Sequence, residues 1–122
     1  MTKRILVVED HQDNRQILRD LLTSSGFDIV EANDGQAGVH AAKKHRPDLI
    51  LMDIQLPILD GYEATRQIKS DPNLRSIPVI VVTSYALSGD DQKAREAGCD
   101  AYVTKPYSPR ALLAKIRAFL PN

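Results

Sequence analysis

The segment Leu49-Ile50-Leu51-Met52 carries no polar residue at either alternation, so a strand formed there must bury both of its faces. Pro47 and Pro57 bracket the region, and the apolar run stops at Asp53. Strands buried on both faces belong to parallel sheets covered by helices on each side. Asp53 then falls at the C-terminal end of its strand, the edge where open α/β sheets hold their ligands. Ile5-Leu6-Val7-Val8 repeats the pattern and ends in Glu9-Asp10. Packing alone gives no reason for two such strands to end in carboxylates.

The rest of the chain alternates in the same way. Ile17, Leu18, Leu21 and Leu22 recur as one apolar helical face, and Gly26 is a helix stop. Phe27–Glu31 reads as a second strand. Asn33-Asp34-Gly35 is a turn able to cap a helix from about Gln36 to His45. The inner face of that helix is small, with Ala37, Val39, Ala41 and Ala42. Lys43, Lys44, His45 and Arg46 set positive charge at its C-terminus, where the helix dipole favours it. Leu49–Asp53 is the third strand and Ile54–Leu59 a loop. Asp60 with Glu63 forms a capping-box-like start for a helix to about Lys69 that buries Ala64 and Ile68. Pro78 leads into a fourth strand, Val79–Val82. Ser88-Gly89-Asp90-Asp91 opens a fourth helix that Gly98 stops. Ala101–Val103 is the fifth strand, and Ser108-Pro109 starts a fifth helix with Leu112, Leu113, Ile116, Phe119 and Leu120 inside. Five βα units in strict alternation predict a single flavodoxin-like α/β domain over residues 1–122. Its five-stranded parallel sheet runs in the order 2-1-3-4-5, with helices on both faces.

Sixteen basic residues balance sixteen acidic ones, aromatics are 5% and Trp is absent. Neither charge nor stacking surface argues for nucleic acid. No apolar run spans a bilayer, and the start Met-Thr-Lys-Arg has no signal-peptide core. A cytoplasmic location is expected. The single Cys99 reads as a small buried residue.

Polar groups end four of the five strands: Glu9-Asp10, Asp53, Thr83-Ser84 and Lys105. In a parallel sheet those ends share one edge. Taken singly, each has an ordinary role as cap, turn, strand-end hydroxyl or solvated lysine. Together they form a pocket. Three crowded carboxylates raise one another's pKa unless a cation lies among them, and Mg²⁺, with Mn²⁺ as the alternative ion, accepts such a set. Lys105 and Thr83 add a cation and a donor opposite, which suits a phosphoryl group. A carboxylate can accept phosphate covalently, and Asp53 at the central strand is the candidate. His11, His40 and His45 lack metal-ligand spacing and read as surface residues.

These residues carry a family resemblance. Val8-Glu9-Asp10, Leu51-Met52-Asp53 with Leu56-Pro57 and Asp60-Gly61, Thr83-Ser84 and Lys105-Pro106 stand in the order and at the element ends found in receiver domains of two-component response regulators. The chain resembles that family over its whole length, most of all its stand-alone members of the DivK type. The resemblance implies that Asp53 takes phosphate from a histidine kinase or histidine phosphotransfer protein. It implies a Mg²⁺ site of Asp10, Asp53 and the Gln55 carbonyl, with Glu9 acting through water. It implies that Lys105 contacts the phosphoryl group, that Lys105-Pro106 is a cis peptide, and that Thr83 and Tyr102 are the switch pair. Gln55 and Tyr85 occupy the positions that tune hydrolysis, and a bulky Tyr85 predicts a phosphorylated form lasting minutes. No output domain is expected after Asn122, so output would pass to an unidentified protein partner. The resemblance sets that contact, or weak dimerisation of an otherwise monomeric protein, on the face of helix four, strand five and helix five. It sets phosphodonor docking on helix one, about Asn14 to Leu22.

Two other classes compete. A Mg²⁺-dependent phosphohydrolase with an aspartyl nucleophile needs a second acid two residues on, where this chain has Gln55. A nucleotide or flavin module needs a phosphate-cradling loop, but Glu9-Asp10-His11-Gln12-Asp13 is acidic and has no glycine.

Overall fold

The computed structural model describes residues 2–83 and 90–120. Among the described residues ten elements alternate strand and helix: β1 Arg4–Val8, α1 Gln12–Ser24, β2 Asp28–Ala32, α2 Gly35–His45, β3 Leu49–Asp53, α3 Gly61–Ser70, β4 Val79–Thr83, α4 Asp90–Ala97, β5 Ala101–Thr104 and α5 Pro109–Phe119. All strand pairs are parallel, and the sheet order is β2-β1-β3-β4-β5, as expected.

The central strand behaves as its composition demands, with all five residues of β3 buried. Its side chains alternate between two cores. Ile50 and Met52 join Leu6, Val8, Val79 and Val81 beneath α2 and α3, where Val39, Ala42, Ala64 and Ile68 close the layer. Leu49 and Leu51 join Ile5, Val7 and Ile80 beneath α1 and α5, closed by Leu18, Leu22, Leu112 and Ile116. Each fully buried aliphatic side chain contributes about 1.5–3 kcal/mol, so β3 is fixed from both sides.

The punctuation is local chemistry. Asp34, Asp60 and Ser108 each accept a backbone N–H in the first turn of α2, α3 and α5. The capping box at α3 is only half formed, because the Glu63 carboxylate turns to Arg66 Nη1 at 3.2 Å. Gly26 follows α1 at φ 94° and Gly98 follows α4 at φ 94°, a conformation L side chains rarely adopt. Arg46 takes the left-handed position at the end of α2, one residue before Pro47.

Two expectations shift. The second strand is Asp28–Ala32 rather than Phe27–Glu31, because the Phe27 N–H closes the α1 exit turn on Leu22 O at 3.0 Å. Ile17 does not join the inner face of α1 but stands 62% exposed, since only Leu18 and Leu22 point squarely at the sheet. The expected helix start at Ser88-Gly89 lies outside the described residues.

At the N-terminal edge of the sheet, side chains satisfy the backbone. Asp48 Oδ2 accepts Arg4 N–H at 2.8 Å, and Asp100 Oδ2 accepts Val79 N–H at 2.8 Å. Lys69 Nζ pairs with the same Asp100 oxygen at 2.8 Å and donates to the carbonyls of Arg75 and Ile77 at 3.0 and 2.7 Å. Among the described residues no helix is long and apolar enough to cross a membrane.

Candidate phosphoacceptor site

The opposite edge carries the chemistry. Val8 pairs with Met52, so Glu9 and Asp53, one residue further on each strand, emerge side by side. Glu9 is 3% and Asp53 6% exposed. Lys105 follows β5 and reaches back over β4: its Nζ lies 3.3 Å from Asp53 Oδ2 and 3.3 Å from Glu9 Oε1. The Lys105–Pro106 peptide is cis.

The two buried acids are held unequally. Glu9 accepts the His11 backbone N–H at 3.0 Å and the Asn14 amide at 3.2 Å as well as Lys105. Burial pushes Glu9 up, but the His11 N–H, the neighbouring Asp10 and Asp53 carboxyls and Lys105 outweigh it, holding Glu9 at about 2. Among the described residues Asp53 has only the Gln55 N–H at 3.2 Å and Lys105. Burial and the charge on Glu9 push Asp53 up to about 6, against the pull of Lys105. Burial opposes the charge on Lys105, yet Asp53 and Glu9 keep its pKa raised.

Asp10 stands at the rim, and its Oδ1 is shut off from solvent without accepting a hydrogen bond. The His11 ring nitrogen Nδ1 comes within 3.1 Å of that oxygen, outside hydrogen-bond geometry. A buried carboxylate oxygen with no donor fits a hard cation, and the carboxylates beside it are a donor set that suits Mg²⁺.

Glu9, Asp10, Asp53 and Lys105 therefore meet at one edge. Gln55 is exposed, with its N–H on Asp53. Tyr102 is half-buried against the α2–α3 core layer. Thr83 ends β4 opposite Thr104, but its side chain, and all of Ser84 and Tyr85, lie outside what the structure describes. The sequence reading assigned no contact in the site to Asn14, Arg15 or His11. Asn14 and Arg15 sit one turn into α1, and Arg15 Nη1 donates to the carbonyls of Glu9 and Asp10 at 2.9 and 3.2 Å. Their spacing of four to six residues from the acidic pair was the available signal. His11 is exposed as expected but leans on the acids. Ile58 was unforeseen too: it is 77% exposed on the β3–α3 loop and holds φ 71°, a strained position for a β-branched residue.

An apolar cleft of about 610 Å³ adjoins the site between α1 and α5. Ile17, Leu18, Leu21, Leu51 and Pro109 line it together with Asp53 and Lys105.

The profile of the response regulator receiver domain matches residues 5–117. The chain belongs to the response regulator receiver family. This receiver is 43% identical over 120 residues to the polar-differentiation response regulator DivK of Brucella ovis, covering 98% of each chain. Among solved structures it is similar to the receiver domain of sensor histidine kinase PA1611 from Pseudomonas aeruginosa PAO1, which has a magnesium ion coordinated in its active site cleft. That match has a TM-score of 0.92, 36% identity and full coverage of both chains. It is also similar to the signal receiver domain of a signal transduction histidine kinase from Syntrophus aciditrophicus, with a TM-score of 0.93 and 32% identity, over 98% of this receiver and 91% of that chain.

Proposed function

We propose that this receiver takes a phosphoryl group onto Asp53 from a phosphohistidine of a kinase or phosphotransfer protein. The observation that carries the reading is the buried Glu9–Asp53 pair bridged by Lys105 at one sheet edge. An Asp53 carboxylate oxygen bonds to phosphorus as the phosphorus–nitrogen bond breaks, and the donor imidazole leaves with the nitrogen's electron pair. Mg²⁺, held by Asp10, Asp53 and the Gln55 carbonyl with Glu9 behind them, would neutralise charge on the transferring oxygens when bound. Lys105 sits where it can follow a phosphoryl oxygen, and burial of Asp53 excludes competing water. Gln55 leaves the site without the second acid an aspartyl phosphohydrolase needs, which disfavours that alternative.

The likeness to the response regulator DivK along 98% of its length supports a signalling role exerted through a protein partner. Thr83 and Tyr102 are the proposed switch, and the face of α4, β5 and α5 is the proposed output or weak-dimer surface. The exposed Ile17 beside the apolar cleft supports docking of a helical phosphodonor on α1. A cytoplasmic location follows from such a donor.

Incubation with acetyl phosphate and Mg²⁺ tests the reading. One acid-stable, base-labile phosphate per chain, lost in Asp53→Asn, is expected. Continuous phosphate release without a labelled protein contradicts it. With Gln55 and Tyr85 at the tuning positions, the label should persist for minutes after the donor is removed.

A further inference from the structure

The acidic pocket contains a nitrogen. His11 is the N-cap of α1, yet its side chain makes no capping bond. The ring turns to the acids instead, with Nδ1 3.1 Å from Asp10 Oδ1 and 3.4 Å from Glu9 Oε2. One ligand atom from each of the three residues lies within 4.8 Å of the other two. Neighbouring corners of an octahedron with bonds of about 2.1 Å are about 3.0 Å apart, so the Nδ1–Asp10 separation is close to that of adjacent ligands on one ion, while the longer Nδ1–Glu9 contact is a hydrogen bond. Asp10 Oδ1, the nearer oxygen, is the one shut off from solvent with no hydrogen bond.

The surroundings hold this arrangement. The His11 backbone N–H donates to Glu9 Oε2 at 3.0 Å, which ties the start of α1 to the acid. Asn14 and Lys105 take the other oxygen, Glu9 Oε1, leaving Oε2 on the His11 side. Arg15 pins the carbonyls of Glu9 and Asp10 from below.

Resting on the reading of this pocket as a divalent-cation site, we propose that His11 is an additional metal ligand through Nδ1. It would shift a pocket of oxygen ligands suited to Mg²⁺ towards first-row transition ions. Imidazole adds little for Mg²⁺, but affinity of a nitrogen-containing site rises along the series from Mn²⁺ through Co²⁺ to Ni²⁺. A protonated His11 paired with two carboxylates would give the same separations without binding an ion, and the experiment separates the two.

Binding of Mg²⁺, Mn²⁺ and Co²⁺ to the whole protein is measured by calorimetry at about pH 8, where a free imidazole is neutral. His11→Phe is expected to leave Mg²⁺ affinity within about twofold and to weaken Co²⁺ by about tenfold or more, at least the loss an outer-shell partner causes. Pulsed electron paramagnetic resonance of the Mn²⁺ form is expected to show a directly bound ¹⁴N that His11→Phe abolishes. An unchanged Co²⁺-to-Mg²⁺ ratio, or a Mn²⁺ spectrum without nitrogen coupling, overturns the proposal. Asp10→Asn separates the two failures. If it removes binding of all three ions, the pocket stands and only the His11 role is lost. If it leaves binding intact, the pocket reading itself falls.

Discussion

The Lys105 ammonium stands 3.3 Å from Asp53 Oδ2, two strands away across β4. The same nitrogen is 3.3 Å from Glu9, so one cation offsets two buried anions. Lys105→Met keeps the length of the side chain and removes the charge. It should destabilise the metal-free protein by about 1–2 kcal/mol at neutral pH, because the paired carboxylates lose their counter-ion. The loss should shrink at about pH 5, where Asp53 takes up a proton. Labelling by acetyl phosphate should slow at least about tenfold. Urea unfolding at both pH values, with a labelling time course, measures both effects.

Asp53 gives the fold a pH signature of its own. Its carboxyl sits near 3.8 when unconstrained and about 6 in the folded chain. A raised acid pKa means the folded state binds the proton more tightly. The group therefore costs nothing below about 3.8, costs progressively more as pH rises to about 6, and costs its full amount above that. Asp53→Asn should be more stable than the parent by about 3 kcal/mol at pH 7.5 in EDTA, and the gap should close towards pH 4. Glu9, depressed from 4.5 to about 2, works in the opposite sense: its stabilisation is present above 4.5 and is lost as pH falls towards 2. A pH-independent gap between parent and Asp53→Asn would contradict this assignment.

Gly61 opens α3 directly over the end of β3. A Cβ there would collide with the Asp53 carbonyl oxygen and crowd Ile54 Cα, both backbone atoms that cannot swing aside. Gly61→Ala should cost about 2–4 kcal/mol and reduce labelling of Asp53 by moving its strand end. An equilibrium unfolding curve and phosphate incorporation report the two losses independently.

Ile17 offers a way to separate docking from chemistry. Its side chain is exposed beside the apolar cleft and contributes little to the core. Ile17→Asp should change unfolding free energy by less than about 0.5 kcal/mol. Transfer from a helical phosphodonor should fall about tenfold or more, with labelling by acetyl phosphate unchanged. Equal losses with both donors would place Ile17 in the chemistry rather than the docking.

Much of this was legible because the signals were local or strongly periodic. The doubly apolar β3, the caps Asp34, Asp60 and Ser108, and the stops Gly26 and Gly98 each act within a few residues. The meeting of Glu9, Asp53 and Lys105 was legible through topology, since parallel strands bring their ends to one edge. What escaped was side-chain direction. Ile17 sits about 100° from Leu18 around α1, so the same run of apolar letters serves a core position and an exposed one. Arg15 serves the acidic pair through backbone carbonyls, a partnership that leaves no mark in residue type. The half-formed capping box at α3 shows the Glu63 carboxylate paired with Arg66 rather than with the Asp60 N–H.

The closed N-terminal rim has a consequence for how such a protein can diversify. Asp48, Asp100 and Lys69 fasten strand starts and loop carbonyls at the end of the sheet away from Asp53. Tolerance to change is thereby divided along the strand axis. Loops at the acidic end can be exchanged to alter partner choice while the far end keeps the register. A chimera that keeps this rim and imports the β1–α1 and β3–α3 loops of another receiver should fold as the parent does and answer to the donor of the imported loops.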